Sequence, residues 1–339
     1  MKSIKLVLFS LLLLLVLTIS GCGRQSAGNT GSTDKVDLTK VTLRVGETGW
    51  PDLDAGFKAA GVSDTPYKVE YSLFQGGNMQ IEAMGSGNLD VATGSEIPPI
   101  FASQAANGGN FKIIAVREKT TLQQELVVPK DSTIKSVADL RGKKVGYVKA
   151  TTSHYFLEKM LEQAGLTWND ITSVQLSTSD GLAALVGGKI DALASYGNAI
   201  ISAHQNGATE LASAKDILSG NYPIESTPEA INDPAKHAAI LDYLVRLNKF
   251  HAWARENPEK WAEIVSAHTH QPVEEALADV KNGETQKPSL IMSVSDKAIA
   301  AEQDVADTFS RIGLLKTKVD VKSFWSDAFT EEIKKNIQH

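Results

Sequence analysis

Short stretches of alternating or continuous apolar residues mark the chain after residue 40. Residues 41–45 and 69–73 alternate apolar and polar side chains with a period of two. Apolar runs of strand length follow at 89–92, 112–116, 125–128, 144–148, 174–176 and 190–194. Stretches with helical spacing lie at 79–84, 98–107, 153–164 and 180–186. Strands that alternate with helices predict βαβ units and mainly parallel sheets, so the predicted fold class is α/β.

The second half of the chain follows a different pattern. Residues 233–254 carry apolar side chains at helical spacing, and a proline at 258 interrupts the pattern before it resumes. Further helices are predicted at 273–280 and 296–312. The chain is therefore expected to be α/β first and mostly helical later.

The first 22 residues have the pattern of an export signal. Two lysines precede an apolar run at 6–17, and small residues lead up to Cys22. That run is shorter than the roughly 20 residues that a membrane-spanning helix needs. Residues 19–22, ISGC, resemble a bacterial lipobox, which implies cleavage before Cys22 and acylation of that residue. We expect a signal peptide at 1–21 and a lipidated Cys22 with a flexible tether over 22–40; a short, uncleaved anchor helix is the alternative.

Composition and charge exclude several classes of protein. The 339 residues carry a net charge of -6, which gives no electrostatic footprint for nucleic acid. Cleavage of the predicted signal peptide would remove two lysines and no acidic residue. The mature chain would then have 32 basic and 40 acidic residues, a net charge of -8. The single cysteine excludes an internal disulfide and a cysteine-based metal cluster. It also leaves the body of the protein without a thiol nucleophile.

The motifs of common enzyme classes are absent from the sequence. There is no Gly-x-Ser-x-Gly, no complete phosphate loop, no dinucleotide fingerprint and no His-Glu-x-x-His. His268 and His270 are two residues apart, which separates them on a helix. We therefore predict no enzymatic activity, no cofactor and no metal site.

One segment carries a family resemblance. Residues 74–104 read FQGGNMQIEAMGSGNLDVATGSEIPPIFASQ, a Gly-rich turn and helix, then Gly-x-Leu-Asp, a strand, Thr-Gly-Ser-Glu and Pro-Pro before another helix. The segment resembles the solute-binding proteins of ABC importers for aliphatic sulfonates, in the wider sulfonate, taurine and nitrate group. The matching positions are Glu82, Ala83, Met84, Gly87, Asp90, Thr93, Gly94 and residues 97–102.

Weaker matches extend the resemblance from about residue 41 to the C-terminus. They lie at 137–145, 150–154, 164–166, 190–192, 306–309 and 318–320. Two positions depart from the family pattern. Ser95-Glu96 stands where the family has Asp, and residues 195–198 replace a phrase that is often Trp-Asp-Pro. Both departures are expected to face the ligand, which leaves open a ligand other than a simple alkanesulfonate.

The resemblance implies a two-lobed periplasmic-binding-protein fold of type II, with mixed sheets and a helical C-terminal part packed on lobe one. We place lobe one at 41–128 plus 224–339, and lobe two at 129–223. The implied function is the extracytoplasmic solute-binding component of an ABC importer, which carries a small organic sulfonate to a membrane permease. The protein is expected to be a monomer, held at the cell membrane by its lipid anchor. Ligand binding is expected to close the cleft by hinge motion.

The candidate ligand-binding residues lie where strands end at the cleft. Helix N-termini and loop amides point into such a cleft and suit an oxyanion without many Arg or Lys side chains. Each Gly-rich turn or hydroxyl cap alone is ordinary helix punctuation, and only their order along one βαβ series favours a site. The candidates are Gly49, Trp50, Gln75, Gly77, Asn78, Gly94, Ser95, Glu96, Thr151, Thr152, Ser153, Tyr196 and Asn198.

Three alternatives remain open from the residues. Nitrate, bicarbonate or a small heterocycle would fit the same binding role, although Trp50 and Tyr196 favour an organic ligand. An enzyme on the same fold would need chemistry that uses no cysteine. Trp50 itself either stacks on an organic tail or fills the first lobe.

Overall fold

A computed structural model describes residues 36–105 and 109–337 of the chain. The predicted signal peptide, Cys22 and most of the predicted tether lie outside the described residues. The described part contains two mixed β-sheets with helices packed against them, which confirms the predicted α/β class. Within these ranges, no helix combines the length and the apolar character required to cross a bilayer.

The described strands are numbered in chain order. They are β1 (Thr42–Thr48), β2 (Lys68–Phe74), β3 (Val91–Thr93), β4 (Lys112–Glu118), β5 (Gln124–Val128), β6 (Lys144–Tyr147), β7 (Thr172–Gln175), β8 (Ala192–Tyr196), β9 (Thr209–Ser213), β10 (Asn221–Ser226) and β11 (Leu290–Met292).

The described α-helices follow the same numbering. They are α1 (Asp52–Ala59), α2 (Gly77–Gly85), α3 (Ile97–Ala102), α4 (Thr152–Gln163), α5 (Thr178–Val186), α6 (Asn198–Gln205), α7 (Pro228–Asn232), α8 (Pro234–Glu256), α9 (Pro258–Thr269), α10 (Val273–Gln286), α11 (Asp296–Arg311) and α12 (Thr330–Asn336).

The first sheet has six strands in the order β11-β4-β10-β3-β1-β2, and the second has five in the order β7-β6-β8-β5-β9. In the first sheet β1 is parallel to β2 and β3, whereas β10 is antiparallel to both β3 and β4. In the second sheet β6 is parallel to β7 and β8, and β5 is antiparallel to β8 and β9. The chain therefore passes between the sheets twice, from β4 to β5 and from β9 to β10.

Burial explains why the central strands read as apolar runs. In β4 the side chains of Ile113, Ile114 and Ala115 are fully buried, because helices cover the sheet on both faces. Phe156 and Leu157 of α4 are fully buried against the second sheet in the same way. Burial of each large apolar side chain stabilises the fold by about 1.5–3 kcal/mol.

The strand β10 was absent from the predicted elements. Its sequence, NYPIES, contains a proline and polar residues, yet it lies in the middle of the first sheet. Glu225 and Ser226 of this strand are 1% and 0% exposed. Helices α1 and α6 and strands β9 and β11 were also absent, because elements of three to eight residues are too short to show a clear periodicity.

The connection from β4 to β5 affects where the first boundary between the predicted lobes lies. The predicted boundary after residue 128 includes β5 in lobe one, whereas the described strands that pair with β5, β8 and β9, both belong to the second sheet. Residues 119–123 connect β4 to β5, and residues 214–220 connect β9 to β10. The lobes themselves stay a prediction.

Candidate functional site

A cleft of about 210 Å³ lies where strands of both sheets end and helices begin. Its walls come from the residues that follow β1, β2 and β3 in the first sheet, and from the starts of α4, α5 and α6 against the second. The segment that connects β4 to β5 contributes Thr120, and the start of β10 contributes Tyr222. This arrangement brings backbone amides from several helix starts to one place.

Ten of the thirteen candidate residues line this cleft. They are Gly49, Trp50, Gln75, Gly77, Gly94, Ser95, Thr151, Thr152, Tyr196 and Asn198. Positions that are far apart in the sequence are thus brought together, as the order of the motifs predicts. Contact of these residues with a ligand stays a prediction.

Three candidates do not line the cleft. Asn78 lies in the first turn of α2, and its Oδ1 atom lies beside Gly76. Glu96 is buried behind the cleft wall, where Ser219 Oγ and Asn221 Nδ2 donate to its carboxylate at 2.6 and 3.1 Å. Burial raises the pKa of Glu96 to about 7, against the opposing effect of these hydrogen bonds.

Ser153 is fully buried and turned toward the preceding loop. Its Oγ atom accepts a hydrogen bond from the Val148 amide at 2.9 Å and lies 3.1 Å from Thr151 Oγ1. The position at a helix start was read correctly from the sequence, but the side chain holds the loop before α4 and does not line the cleft.

Three helices begin at the cleft with free ends. Within residues 36–105 and 109–337, no side chain caps the first turns of α2, α4 or α6. The Thr152 and Ser153 amides have no acceptor among the described residues, as expected at the start of a helix. Unsatisfied first-turn amides attract anions, because the helix dipole adds partial positive charge at that end.

Helix α1 differs, because a carboxylate already occupies its start. Glu47 Oε1 accepts hydrogen bonds from the Leu53 and Asp54 amides at 2.8 and 3.1 Å. Burial, with the nearby Asp52 charge, raises the pKa of Glu47 to about 7. Glu47 and Asp52 both line the cleft, so this wall carries negative charge.

Two cations in the cleft wall were missed by the sequence reasoning. Arg117, the penultimate residue of β4, and Lys119, just after it, both line the cleft. They lie two residues apart, which places their side chains on the same side of an extended chain. That spacing at the end of a buried strand is the sequence signal that would have found them. Burial, with the adjacent Arg117 charge, lowers the pKa of Lys119.

Gln80 holds the ends of β1 and β3 together beneath the cleft. Its Nε2 donates to Thr48 Oγ1 at 2.6 Å and to the Thr93 carbonyl at 3.1 Å, and its Oε1 accepts from the Thr93 amide at 3.2 Å. Gln80 is fully buried. Its three hydrogen bonds fix the spacing of two loops that line the cleft.

Trp50 lies between the cleft and the C-terminal helices. Its ring stacks on Trp261 and His268 of α9, with centroid distances of 5.7 and 5.0 Å. It also lines the cleft. The two predicted roles, contact with an organic tail and packing within the first lobe, are therefore compatible at this position.

Hydrogen bonds join the two sides of the cleft. Thr178 Oγ1 and Ser179 Oγ of α5 donate to Gln75 Oε1, at 3.3 and 3.4 Å. Gln124 Nε2 of β5 donates to Tyr222 Oη of β10 at 2.8 Å, which joins the two sheets beside the crossing segments. No group of three or more His, Cys, Asp or Glu residues in the described ranges could hold a metal ion.

A known protein family and two known relatives match this chain over most of its length. A family model described as the phosphonate periplasmic substrate-binding protein of ABC transporters matches residues 63–305. A relative from Escherichia coli (strain K12) that bears the name of an aliphatic sulfonates-binding protein is 28% identical over 260 residues, 75% of this chain and 78% of its own. A Bacillus subtilis (strain 168) relative of the same name is 27% identical over 334 residues, 95% of each chain.

Solved structures show the same fold. The alkanesulfonate-binding protein SsuA from Xanthomonas axonopodis pv. citri, bound to MOPS, superposes with a TM-score of 0.75 at 24% identity, covering 84% of this chain and 98% of its own. The desulfurization enzyme DSZB superposes with a TM-score of 0.64 at 15% identity, covering 88% and 100%. The fold therefore occurs in binding proteins and in an enzyme.

The family match spans well over half of the chain and confirms the resemblance found in residues 74–104. The family is periplasmic, which places the body outside the cytosol, and its proteins work with a small-molecule ligand and a membrane permease. The chain belongs to the periplasmic substrate-binding proteins of ABC transporters described by the phosphonate-binding family model.

Proposed function

We propose that the chain binds a small organic sulfonate in this cleft and delivers it to a membrane permease. The observation that carries the proposal is that Arg117 and Lys119 line the same cleft as the uncapped starts of α2, α4 and α6. Cations and free amides together stabilise a tetrahedral oxyanion. The relatives named for sulfonate binding support this head group.

Thermal unfolding with candidate ligands tests the proposal. The soluble body from Thr33 would be measured with taurine, alkanesulfonates, aromatic sulfonates, alkylphosphonates, nitrate, bicarbonate and sulfate. A ligand that binds only the folded state raises the melting temperature by mass action. We expect the largest shifts with organic sulfonates. Shifts with phosphonates or nitrate alone would contradict the sulfonate assignment and leave the binding role intact.

The proposed role is binding and not catalysis. The only cysteine of the chain is Cys22, so the body carries no thiol nucleophile. The two carboxylates at the cleft are already engaged, since Glu47 caps α1 and Asp52 lies near Arg117. Recovery of unchanged sulfonate after prolonged incubation, measured by mass spectrometry, is the expected result. Release of sulfite or sulfate would contradict it.

We also propose that lipidated Cys22 attaches the protein to the cell membrane and that its folded body is a monomer. The support is the lipobox-like ISGC sequence and the position of the single cysteine within it. Metabolic labelling with palmitate should mark the wild type, and Cys22→Ala should abolish the label. An unlabelled wild type would contradict the anchor. Light scattering of the soluble body tests the monomer.

Closure of two lobes around the ligand is the proposed conformational step. The proposed lobes are 41–128 plus 224–339, and 129–223. Because β5 pairs in the second sheet, we move the first boundary to the N-terminal side of β5. The hydrogen bonds from α5 to Gln75 cross the cleft and would stabilise a closed state. Small-angle scattering should show a smaller radius of gyration at saturating ligand. An unchanged radius would count against closure.

A further inference from the structure

A second and larger cavity adjoins the cleft. It has a volume of about 550 Å³ and lies between α6 and β9 on one side and the C-terminal helices α8, α9 and α10 on the other. Trp50, Arg117 and Lys119 line both cavities. We call this second cavity the outer chamber. A ligand whose head lies in the cleft can therefore extend past these three side chains into the outer chamber.

Two buried polar atoms at the outer chamber have no partner. His251 and Arg117 are 6% and 8% exposed, and both line the chamber. His251 Nε2 and Arg117 Nε find no hydrogen-bond partner among the described residues. A buried polar atom without a partner costs about 1–3 kcal/mol, and a polar group of a ligand that reached these atoms after a small side-chain movement would offset that cost. Burial and the nearby Arg117 and Lys119 charges keep the His251 pKa well below its ordinary value, so its imidazole is neutral.

The outer chamber carries carboxylates that the cleft lacks. Arg117, Lys119 and the Arg117 partner Asp52 lie at the wall shared with the cleft, whereas the exposed Glu210 of β9 and Glu275 of α10 line only the chamber. Neither of these two carboxylates has an ion-pair partner in the part of the chain that the structure describes. Burial and the adjacent Glu125 carboxylate raise the pKa of Glu210.

The chamber also has an apolar and aromatic wall. Trp261 stacks on Trp50 and packs edge-on against Phe250, with centroid distances of 5.7 and 4.9 Å. Ile200 and Val265 complete this wall. Such a surface suits an alkyl or heterocyclic chain, and an aromatic face also attracts a cation.

Resting on the proposed sulfonate-binding function, we propose that the cleft and the outer chamber form one two-compartment site for a zwitterionic organosulfonate. The sulfonate lies at Arg117 and Lys119, the uncharged middle of the ligand packs on the aromatic wall, and a protonated amine at the far end meets Glu210 and Glu275. His251 donates to or accepts from a polar group in the middle. The site thereby selects for a cationic end as well as an anionic head.

Calorimetric titration with three ligands tests the proposal. The affinity for ethanesulfonate measures binding in the cleft alone, and the affinity for hexanesulfonate adds the effect of a longer apolar chain. Hexanesulfonate with a terminal amine adds the effect of a positive charge at the far end. We expect the amine ligand to bind roughly tenfold more tightly than hexanesulfonate. The double variant Glu210→Gln/Glu275→Gln should remove that advantage and leave ethanesulfonate binding unchanged. Glu82→Gln, an exposed glutamate of α2 outside both cavities, is the matched control.

The outcomes separate this proposal from the proposed function. If ethanesulfonate binds but the amine gives no advantage over hexanesulfonate, the two-compartment site is wrong and sulfonate binding stands. Equal losses for hexanesulfonate and its amine analogue in the double variant would also overturn the two-compartment site. If none of the three sulfonates binds, the proposed function itself fails, and this proposal fails with it.

Discussion

Arg117 and Asp52 approach each other in the wall of the cleft, with 3.7 Å between Arg117 Nη1 and Asp52 Oδ2. The carboxylate partly balances the guanidinium, because both side chains are largely buried and little water screens them. Lys119 has no such partner, since no carboxylate of the described residues lies within ion-pair distance of its ammonium. Lys119 is therefore the cation whose charge is most available to a bound anion.

Replacing Lys119 with Met should weaken sulfonate binding by roughly 10- to 100-fold. A hydrogen bond to a charged group contributes about 1.5–3 kcal/mol, and the variant removes the charge while it keeps an unbranched side chain. The unliganded protein should be as stable as the wild type or more stable, because a half-buried cation is lost. Titration calorimetry and urea unfolding measure the two effects. Lys297→Met, in the exposed part of α11, is the control, and equal affinities of the two variants would contradict the prediction.

Glu47 should make anion binding sensitive to pH near neutrality. Its pKa is raised to about 7, so the folded protein holds this proton more tightly than the unfolded chain. The associated stability is full below the ordinary pKa of about 4.5 and is lost as the pH rises through about 7. Ionisation also adds a negative charge to the cleft, so affinity for a sulfonate should fall by about 1 kcal/mol, roughly fivefold, above neutrality.

The Glu47→Gln variant tests this pH dependence. The amide oxygen can still accept from the Leu53 and Asp54 amides, so the start of α1 is preserved. We expect a flatter affinity profile between about pH 6 and pH 8, with tighter binding than the wild type at the upper end. Glu96, whose pKa is also raised to about 7, remains in both proteins, so their difference isolates Glu47. Parallel profiles would show that another group titrates.

The positions that the sequence correctly predicted at the cleft share one property. They all lie at junctions between strands and helices. The Gly77, Gly94 and Thr152 positions follow from the order of turns and helix starts, since strand ends meet at one edge of a sheet. Arg117 lies near the end of β4 and Lys119 directly follows that strand, with no Gly-rich turn or helix start beside them, so the same reasoning passed over them. The raised pKa of Glu47 could not be predicted either, because it depends on burial and on neighbouring charges that only the folded chain brings together.

The same limit applies to the fold. The long helices α8, α10 and α11 were predicted because many apolar positions repeat at helical spacing. Strand β10 was not predicted, because its buried Glu225 and its proline are untypical of a central strand. Pairing with β3 and β4 satisfies its backbone, and this partner choice is a property of the tertiary structure.

Ser153→Ala should lower stability with little direct effect on the ligand. The Ser153 hydroxyl accepts from the partly buried Val148 amide, and its loss costs about 1–2 kcal/mol. Thr152→Val is the matched comparison, because Thr152 lines the cleft and the substitution replaces its hydroxyl, which donates to Gln124 Oε1, with a methyl group. We expect weaker sulfonate binding in Thr152→Val, and nearly wild-type affinity in folded Ser153→Ala. Reduced affinity of Ser153→Ala at unchanged stability would instead assign Ser153 to the site.

Gly46→Ala should disturb the cleft through Gln80. A Cβ atom at Gly46 would collide with the Gln80 amide, which bridges Thr48 and Thr93 at the ends of β1 and β3. Overpacking of this kind costs about 1–3 kcal/mol, and we expect a comparable loss of stability together with roughly tenfold weaker sulfonate binding.

A double-mutant cycle identifies the cause of the Gly46→Ala effect. If the collision with Gln80 is responsible, Gly46→Ala should cost little in the background of Gln80→Ala, where the amide is absent. Additive losses in the double variant would locate the damage elsewhere in β1. Gly85→Ala, at the exposed C-terminal end of α2, is the control, and helix propensity predicts that it leaves stability unchanged or raises it by up to about 1 kcal/mol. Urea unfolding of the four proteins gives the coupling, and calorimetry shows whether affinity follows the same cycle.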